Sequence, residues 1–281
     1  MEVLTRFRFD AVTGAVVLQP EALPMAEGVA PPAWGASQGM PRVSVVILSH
    51  RLPMVAEAIA SVGAQTAQPL QLLVQHSALA WPEKLNAAIT ATVGEFFVVL
   101  CDDDLLAPSF VAECLAWSDD ADIVYTDRRH FRDGTDPWMG EIVRMHEAAV
   151  GRDGPCAVTI QSEQFAFGAP FPMTCLVRRS FWDALGGFDP TMPHTDTEFW
   201  YRAARAKARG VYVPSPLFAY REHEGQYSRT DNALWHAGLK FHKKHFDQFG
   251  FAWDHAVPVG GNQWDIPVIP PHRRATYYVT P

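Results

Sequence analysis

Phe96-Phe97-Val98-Val99-Leu100-Cys101 runs straight into Asp102-Asp103-Asp104. A continuous apolar run rich in aromatic and β-branched residues suits a strand buried on both faces of a parallel sheet, because a half-exposed strand would alternate. Carboxylates directly after it sit where open parallel sheets bind ligands, just beyond the carboxyl ends of the strands. Three adjacent carboxylates repel one another. A divalent cation is the simplest counter-charge, since Mg2+ and Mn2+ prefer oxygen ligands and bridge carboxylates to a substrate's phosphates. The plainer alternative is a solvated turn in which Asp104 starts the next helix.

Upstream, Val43 to Leu48 is a second buried run, Met54 to Val62 reads as a helix, Leu70 to Val74 as a strand, and Pro82 to Thr92 as a helix with proline in its first turn. Downstream, Ser109 to Trp117 reads as a helix and Asp122 to Thr126 as a strand. Strand and helix patterns alternating at this spacing imply βαβ units, hence an α/β fold with a mixed, mainly parallel sheet flanked by helices. Residues 128–170 show few clear periods and read as loops and short elements beside the site. Met173 to Val177 reads as a strand, Ser180 to Leu185 as a helix closed by Gly186-Gly187, and Asp196 to Arg209 as a helix ended by Gly210. A short strand, Val211 to Val213, and a helix, Leu234 to Gln248, complete the pattern.

The ends differ in character. Residues 1–41 divide into a hairpin turning at Val12-Thr13-Gly14 and a proline-rich arm; residues 42–230 form the α/β domain; residues 231–281 give a helix and a proline-rich tail that wraps the surface. Across the whole chain of 281 residues, 48% are hydrophobic and the net charge is -8. That acidic balance opposes a broad electrostatic grip on nucleic acid. No run of about 18 apolar residues exists, so no membrane span is expected. Met1 to Asp10 lacks the apolar block of a signal peptide. The cysteines (Cys101, Cys114, Cys156, Cys175) have no CxxC spacing and read as buried free thiols, which points to a reducing, cytoplasmic location.

Two further segments carry candidate chemistry. Thr195-Asp196-Thr197-Glu198 fits a capping box with Thr195 as N-cap and Glu198 at N3. Asp196 then lies in the first helical turn, where the dipole favours its ionised form, and an ionised carboxylate aimed into a cleft can act as a general base. Acids also belong in first turns simply for helix stability. Tyr220-Arg221-Glu222-His223 follows an extended piece; a neutral imidazole there can complete a metal site, and Arg221 can meet a phosphate.

Taken together, these segments over residues 42–230 resemble the inverting glycosyltransferase family 2, with its GT-A fold, a Rossmann-like arrangement. Val43 to Ser49 resembles its first nucleotide-binding strand, Lys84-Leu85-Asn86-Ala87-Ala88 its stretch before the acidic motif, and Cys101 to Pro108 its DxD-type metal motif. Val177-Arg178-Arg179 through Gly186-Gly187-Phe188-Asp189 resembles its acceptor-side strand and GGFD turn. Thr195 to Trp200 is similar to its ED-containing helix start, and Tyr220 to His223 to its late Arg-x-His element. The resemblance implies Asp103 as metal ligand, with Asp104 as an alternative ligand and His223 holding the metal or the diphosphate. It implies Asp102 near the ribose or the metal's waters, Lys84 and Asn86 near the nucleotide, and Asp196 as catalytic base. Ser49, His50 and Arg51 after the first strand, His76 after the second, and Arg221 complete the expected cofactor-binding set. Val74-Gln75-His76-Ser77 stands where the family has an Asp-Asp-Gly-Ser-like segment, and Thr195 where it has a glutamate.

The activity so implied is transfer of a sugar, with inversion, from a nucleotide-sugar donor (a UDP-sugar by default) to an acceptor hydroxyl, aided by Mn2+ or Mg2+. Phe171, Met173 and Trp182 are expected to line the pocket as platforms for sugar rings. Glycan, lipid-linked sugar, protein and modified nucleobase are all compatible acceptors, and the proline-rich ends are compatible with a homo-oligomer. Two rival readings are a nucleotidyltransferase and a catalytically degenerate nucleotide-sugar binding module. The first wants a glycine-rich or basic loop after the first strand, where Ser49-His50-Arg51-Leu52-Pro53 offers one arginine.

Overall fold

The computed structural model describes residues 7–10, 15–18, 43–49, 52–76, 79–145, 156–159, 172–192, 195–226, 257–260, 263–267 and 274–278. In chain order the first half contains strands β1 (Phe7–Asp10), β2 (Ala15–Leu18) and β3 (Val43–Leu48), helix α1 (Leu52–Gly63), β4 (Gln71–Gln75), α2 (Trp81–Thr90), β5 (Phe96–Cys101), β6 (Leu105–Leu106) and α3 (Phe110–Leu115). The second half contains β7 (Ile123–Phe131), a 3-10 turn (Pro137–Met139), β8 (Glu141–Val143), β9 (Cys156–Thr159), β10 (Leu176–Arg178), α4 (Arg179–Ala184), α5 (Thr195–Arg205) and β11 (Arg209–Arg221). Strands β12 (Val257–Gly260), β13 (Gln263–Pro267) and β14 (Arg274–Tyr278) form a separate antiparallel sheet where a wrapping tail is expected.

The main sheet runs β1-β2-β4-β3-β5-β10-β7-β11-β6, with β8 on β7 and β9 on β11. Strand β3 is parallel to β4 and β5, and β7 is parallel to β11. Strand β10 runs antiparallel between β5 and β7, so those two are parallel to each other. The carboxyl ends of β3, β4, β5, β7 and β11 therefore emerge along one edge. That single topological fact brings Ser49, His76, the three aspartates and His223 to the same side of the molecule. The N-terminal hairpin extends this sheet, because β2 pairs antiparallel with β4.

Alternation along the buried strands divides the core into two layers. Val46, Leu48, Phe97, Val99, Ile123, Tyr125, Val177 and Tyr212 face α2, α4 and α5. Val45, Ile47, Phe96, Val98, Leu100, Val124 and Leu176 face α1 and α3. Helix α5 presents Phe199, Trp200, Ala203 and Ala204 to the first layer, a helical-period stripe filled by large and small residues in turn. Among the described residues no helix is long and apolar enough to cross a membrane, and Cys101, Cys114 and Cys175 are free thiols.

Several boundaries differ from expectation, each for a physical reason. Strand β7 continues beyond Thr126 through Arg128, Arg129 and His130, charged residues that break the apolar pattern but pair with β11 on one side and β8 on the other. Strand β11 extends from Arg209 to Arg221 despite Pro214 and Pro216, because the register shifts around Pro216 absorb the missing donors. Helix α5 stops before Gly210. Lys207 takes a left-handed conformation (φ 58), and Ala208 N–H donates back to the Ala203 carbonyl at 3.0 Å. The expected helix at Leu234 to Gln248 lies outside the described residues.

Candidate active site

Cys101 ends β5 with its side chain on the α5 face, continuing the alternation of Phe97 and Val99. The chain then turns at once, with Asp104 N–H donating to the Cys101 carbonyl at 3.2 Å. Asp102, Asp103 and Asp104 are 3%, 9% and 4% exposed, so these acids are not a solvated turn. Burial pushes the Asp104 carboxyl well above the usual carboxylate range, and the Asp103 charge adds to the shift. An Arg221 N–H and the charges of Arg128 and Arg221 oppose it. The Cys101 thiol is likewise pushed up by burial and by the negative charges of Asp104, Asp103, Asp102 and Asp196. Asp196, far away in sequence, is thus near enough for its charge to bear on the Cys101 thiol.

His223 follows β11, and its Nε2 lies 3.1 Å from Asp103 Oδ2, joining residues 120 positions apart. The Cys101 Sγ and one carboxylate oxygen each of Asp103 and Asp104 lie within 4.8 Å of one another. Hard oxygen donors at that spacing, with an imidazole against one of them, fit a Mn2+ or Mg2+ ion. An ion there would offset both the burial of Asp104 and its repulsion from Asp103, the two causes that raise its pKa.

Asp196 sits in the first turn of α5 and is partly exposed. The bonds at this helix start differ from the expected capping box. Asp196 Oδ1 accepts the Thr197 N–H at 2.7 Å, and the Thr195 hydroxyl donates to the Met192 carbonyl at 3.2 Å. Glu198, 0% exposed, takes Arg202 Nε on both oxygens at 3.0 and 2.9 Å. Arg202 also donates to the carbonyls of Leu185 and Gly187, at 2.7 and 2.6 Å, and so pins α5 to the Gly186-Gly187-Phe188-Asp189 turn.

The nucleotide-side residues divide. Ser49, 1% exposed at the end of β3, donates its N–H to the Gln75 carbonyl at 2.9 Å, and its buried hydroxyl has no hydrogen-bond partner among the described residues. His76 is exposed, with Nδ1 3.1 Å from the Ser49 carbonyl. Lys84 is 1% exposed; burial lowers its pKa, while the nearby Asp102 charge opposes that shift. Asn86 turns both polar atoms to Phe188 in the glycine turn rather than to a cleft. Arg221 is similarly engaged within the protein, by Glu57, Asp133 and the Asp103 carbonyl. Of the residues expected to line the pocket, Trp182 is a core residue, edge-on to Phe97 at 6.1 Å, and Met173 packs against the same layer. His50, Arg51 and Phe171 lie outside the described residues. Glu57 and Asp133 escaped the sequence reading because nothing local links them to Arg221; Glu57 is 164 positions away.

The sequence model described as "Glycosyltransferase like family 2" matches residues 33–237. The chain belongs to this family. No curated protein sequence matches it. Among solved structures, this member of glycosyltransferase-like family 2 is similar to the mannosyltransferase PcManGT from Pyrobaculum calidifontis in complex with GDP-Man and Mn2+, at 17% identity and a TM-score of 0.52, over 74% of this chain and 64% of that one. It is also similar to S. aureus TarS 1-349 in complex with UDP-GlcNAc, at 12% identity and a TM-score of 0.53, over 71% of this chain and 65% of that one. The chain thus spans just under two thirds of the length of these structures, and the likeness establishes a shared GT-A fold.

Proposed function

We propose that this protein is a metal-dependent inverting glycosyltransferase that moves a sugar from a nucleotide-sugar donor, by default a UDP-sugar, to an acceptor hydroxyl. The observation that carries the reading is the approach of His223 to Asp103 at the carboxyl edge of the sheet. The neighbouring structures, one holding GDP-Man with Mn2+ and one UDP-GlcNAc, support a nucleotide-sugar donor.

In this reading Asp103, Asp104 and His223 hold Mn2+ or Mg2+, which supplies positive charge to the departing diphosphate. Lys84 on α2 and Asp102, just after β5, are assigned to the nucleotide side. Asp196 accepts the proton of the acceptor hydroxyl as the oxygen bonds to the anomeric carbon and the bond to the diphosphate breaks on the opposite face. The helix start holds the Asp196 carboxylate in place: the Thr197 N–H donates to its Oδ1 at 2.7 Å. Nothing in this scheme needs a second carboxylate as nucleophile.

A panel of UDP- and GDP-sugars incubated with the protein and Mn2+, read as free nucleoside diphosphate, tests the proposal without knowledge of the acceptor. Asp196→Asn is expected to abolish transfer while leaving donor binding intact. Donor turnover at the wild-type rate in that variant would show that Asp196 is not the base. Binding of a donor without turnover in the wild type would instead favour the degenerate module.

A further inference from the structure

We propose that Arg221 is a positioning residue through which two surface carboxylates, Glu57 and Asp133, set the geometry and the cation affinity of the aspartate loop; this rests on the reading of that loop as the metal site. Arg221 bonds two of the candidate ligand residues directly and reaches the third through Gln226. Its backbone N–H donates to Asp104 Oδ1 at 3.0 Å, and its Nε–H donates to the Asp103 carbonyl at 2.9 Å. Its own carbonyl accepts from Gln226 Nε2 at 2.9 Å, while Gln226 N–H donates to the His223 carbonyl at 3.3 Å. One residue therefore ties down Asp103, Asp104 and the turn that carries His223.

What fixes Arg221 lies on the opposite side. Its guanidinium stacks 4.6 Å from the Phe131 ring centroid, its NH2 donates to Glu57 Oε2 at 2.6 Å, and its NH1 donates to Asp133 Oδ1. A planar fork with two anchors and a ring beneath it has one orientation; with neither anchor it can swing about its stem. The Arg221 side chain is 5% exposed, whereas those of Glu57 and Asp133 are 57% and 62% exposed. Exposed ion pairs add little to global stability, about 0–1 kcal/mol each. Groups that orient metal ligands from behind commonly change metal affinity by about 10–100-fold. The two effects separate here: neutralising the surface pair leaves the fold intact and loosens the loop. Were Arg221 a direct phosphate ligand instead, freeing it from Glu57 and Asp133 would tighten nucleoside diphosphate binding.

The test compares the full chain with the double variant Glu57→Gln/Asp133→Asn and with Arg221→Lys. Mn2+ binding is read by electron paramagnetic resonance, and backbone hydrogen exchange over residues 102–106 is read without metal. The expected result for both variants is faster loop exchange and a Mn2+ affinity lower by about tenfold or more. For the double variant the melting temperature stays within a few degrees of wild type, in line with weak surface pairs. Should Arg221→Lys fail to fold, the double variant decides alone. Loop exchange in the double variant identical to wild type overturns the proposal. A wild type that takes up no Mn2+ sinks the metal reading separately, because the exchange measurement still judges the positioning role.

Discussion

Asn86 grips Phe188 by both ends of its amide: Nδ2–H donates to the Phe188 carbonyl at 2.8 Å, and Oδ1 accepts the Phe188 N–H at 2.9 Å. The pair joins α2 to the glycine turn, and the Phe188 ring rests 4.8 Å from that of Phe199 on α5, one helical turn after Asp196. Leaving a buried backbone group without its partner costs about 1–3 kcal/mol, so Asn86→Ala is expected to lose roughly 2 kcal/mol or more in urea unfolding. Asn86→Asp sets a negatively charged oxygen against the Phe188 carbonyl in place of the donor and should also lose stability. An Ala variant as stable as wild type would refute the bidentate role.

Gly186 and Gly187 form a matched pair for separating backbone strain from crowding. Both have left-handed φ, 76 and 75. A Cβ on Gly186 meets nothing within 4 Å, whereas one on Gly187 meets Trp182 Cζ2 at 2.9 Å and Asn86 Oδ1 at 3.0 Å. Gly186→Ala should cost about 1 kcal/mol, the ordinary penalty of the left-handed region. Gly187→Ala should cost at least about 1 kcal/mol more, as overpacking in a filled core does. Thermal unfolding that gives the two variants the same midpoint would contradict the crowding.

Asp122 predicts an acid-sensitive term. Its Oδ2 accepts the backbone N–H and the Nε–H of Arg209, and its Oδ1 accepts from NH2 at 2.9 Å. Burial raises its pKa, but these bonds outweigh burial and the net shift is downward. A lowered folded-state value means that the pair's contribution is present above the unfolded value, about 3.9, and is lost as pH falls through the folded one. The Arg209 side chain is 58% exposed, so the term is small. Asp122→Asn should therefore be less stable than wild type at neutral pH, with the gap closing towards the acid end. A pH-independent gap in urea unfolding would count against it.

Metal removal gives the fourth prediction. Because burial and Asp103 raise the Asp104 pKa, cation binding competes with a proton for that carboxylate over a wider pH range than at an exposed aspartate. Mn2+ affinity should climb with pH across the range in which Asp104 titrates, and binding there should release protons, measurable by calorimetry in two buffers of different ionisation heat. Saturating Mn2+ should raise the melting temperature, a hundredfold excess over Kd being worth about 2.7 kcal/mol. Asp103→Asn and His223→Ala should each abolish most of that gain. A melting point indifferent to Mn2+ would remove the basis for all of these.

The central strands were legible because burial on both faces leaves an uninterrupted apolar signature, as in Phe96 to Cys101 and Val43 to Leu48. Composition conceals what tertiary pairing decides. Arg128 and His130 read as loop residues, yet they lie in β7, where Arg128 sits 4.6 Å over the Tyr220 ring and His130 meets Glu222 at 2.9 Å. Lys207 gave no sign of closing a helix three residues before the expected glycine. At the candidate site, residue type and order pointed to Asp103 and His223, which the fold brings within 3.1 Å of each other. The bonds of Asn86 and Arg221 to Phe188, Glu57 and the Asp103 carbonyl had no local sign, because an amide or guanidinium near a motif looks the same whether it faces a ligand or the protein.

Strand β10 has a consequence for how the chain comes to be folded. Only three residues long, it fills the slot between β5 and β7, both made well before it. Until Leu176–Arg178 leave the ribosome, two of the most apolar edges in the molecule face each other with nothing between them, an invitation to intermolecular pairing. A fragment ending before Leu176 would hold most of the proposed donor half and should still aggregate, because the piece that seals it arrives late.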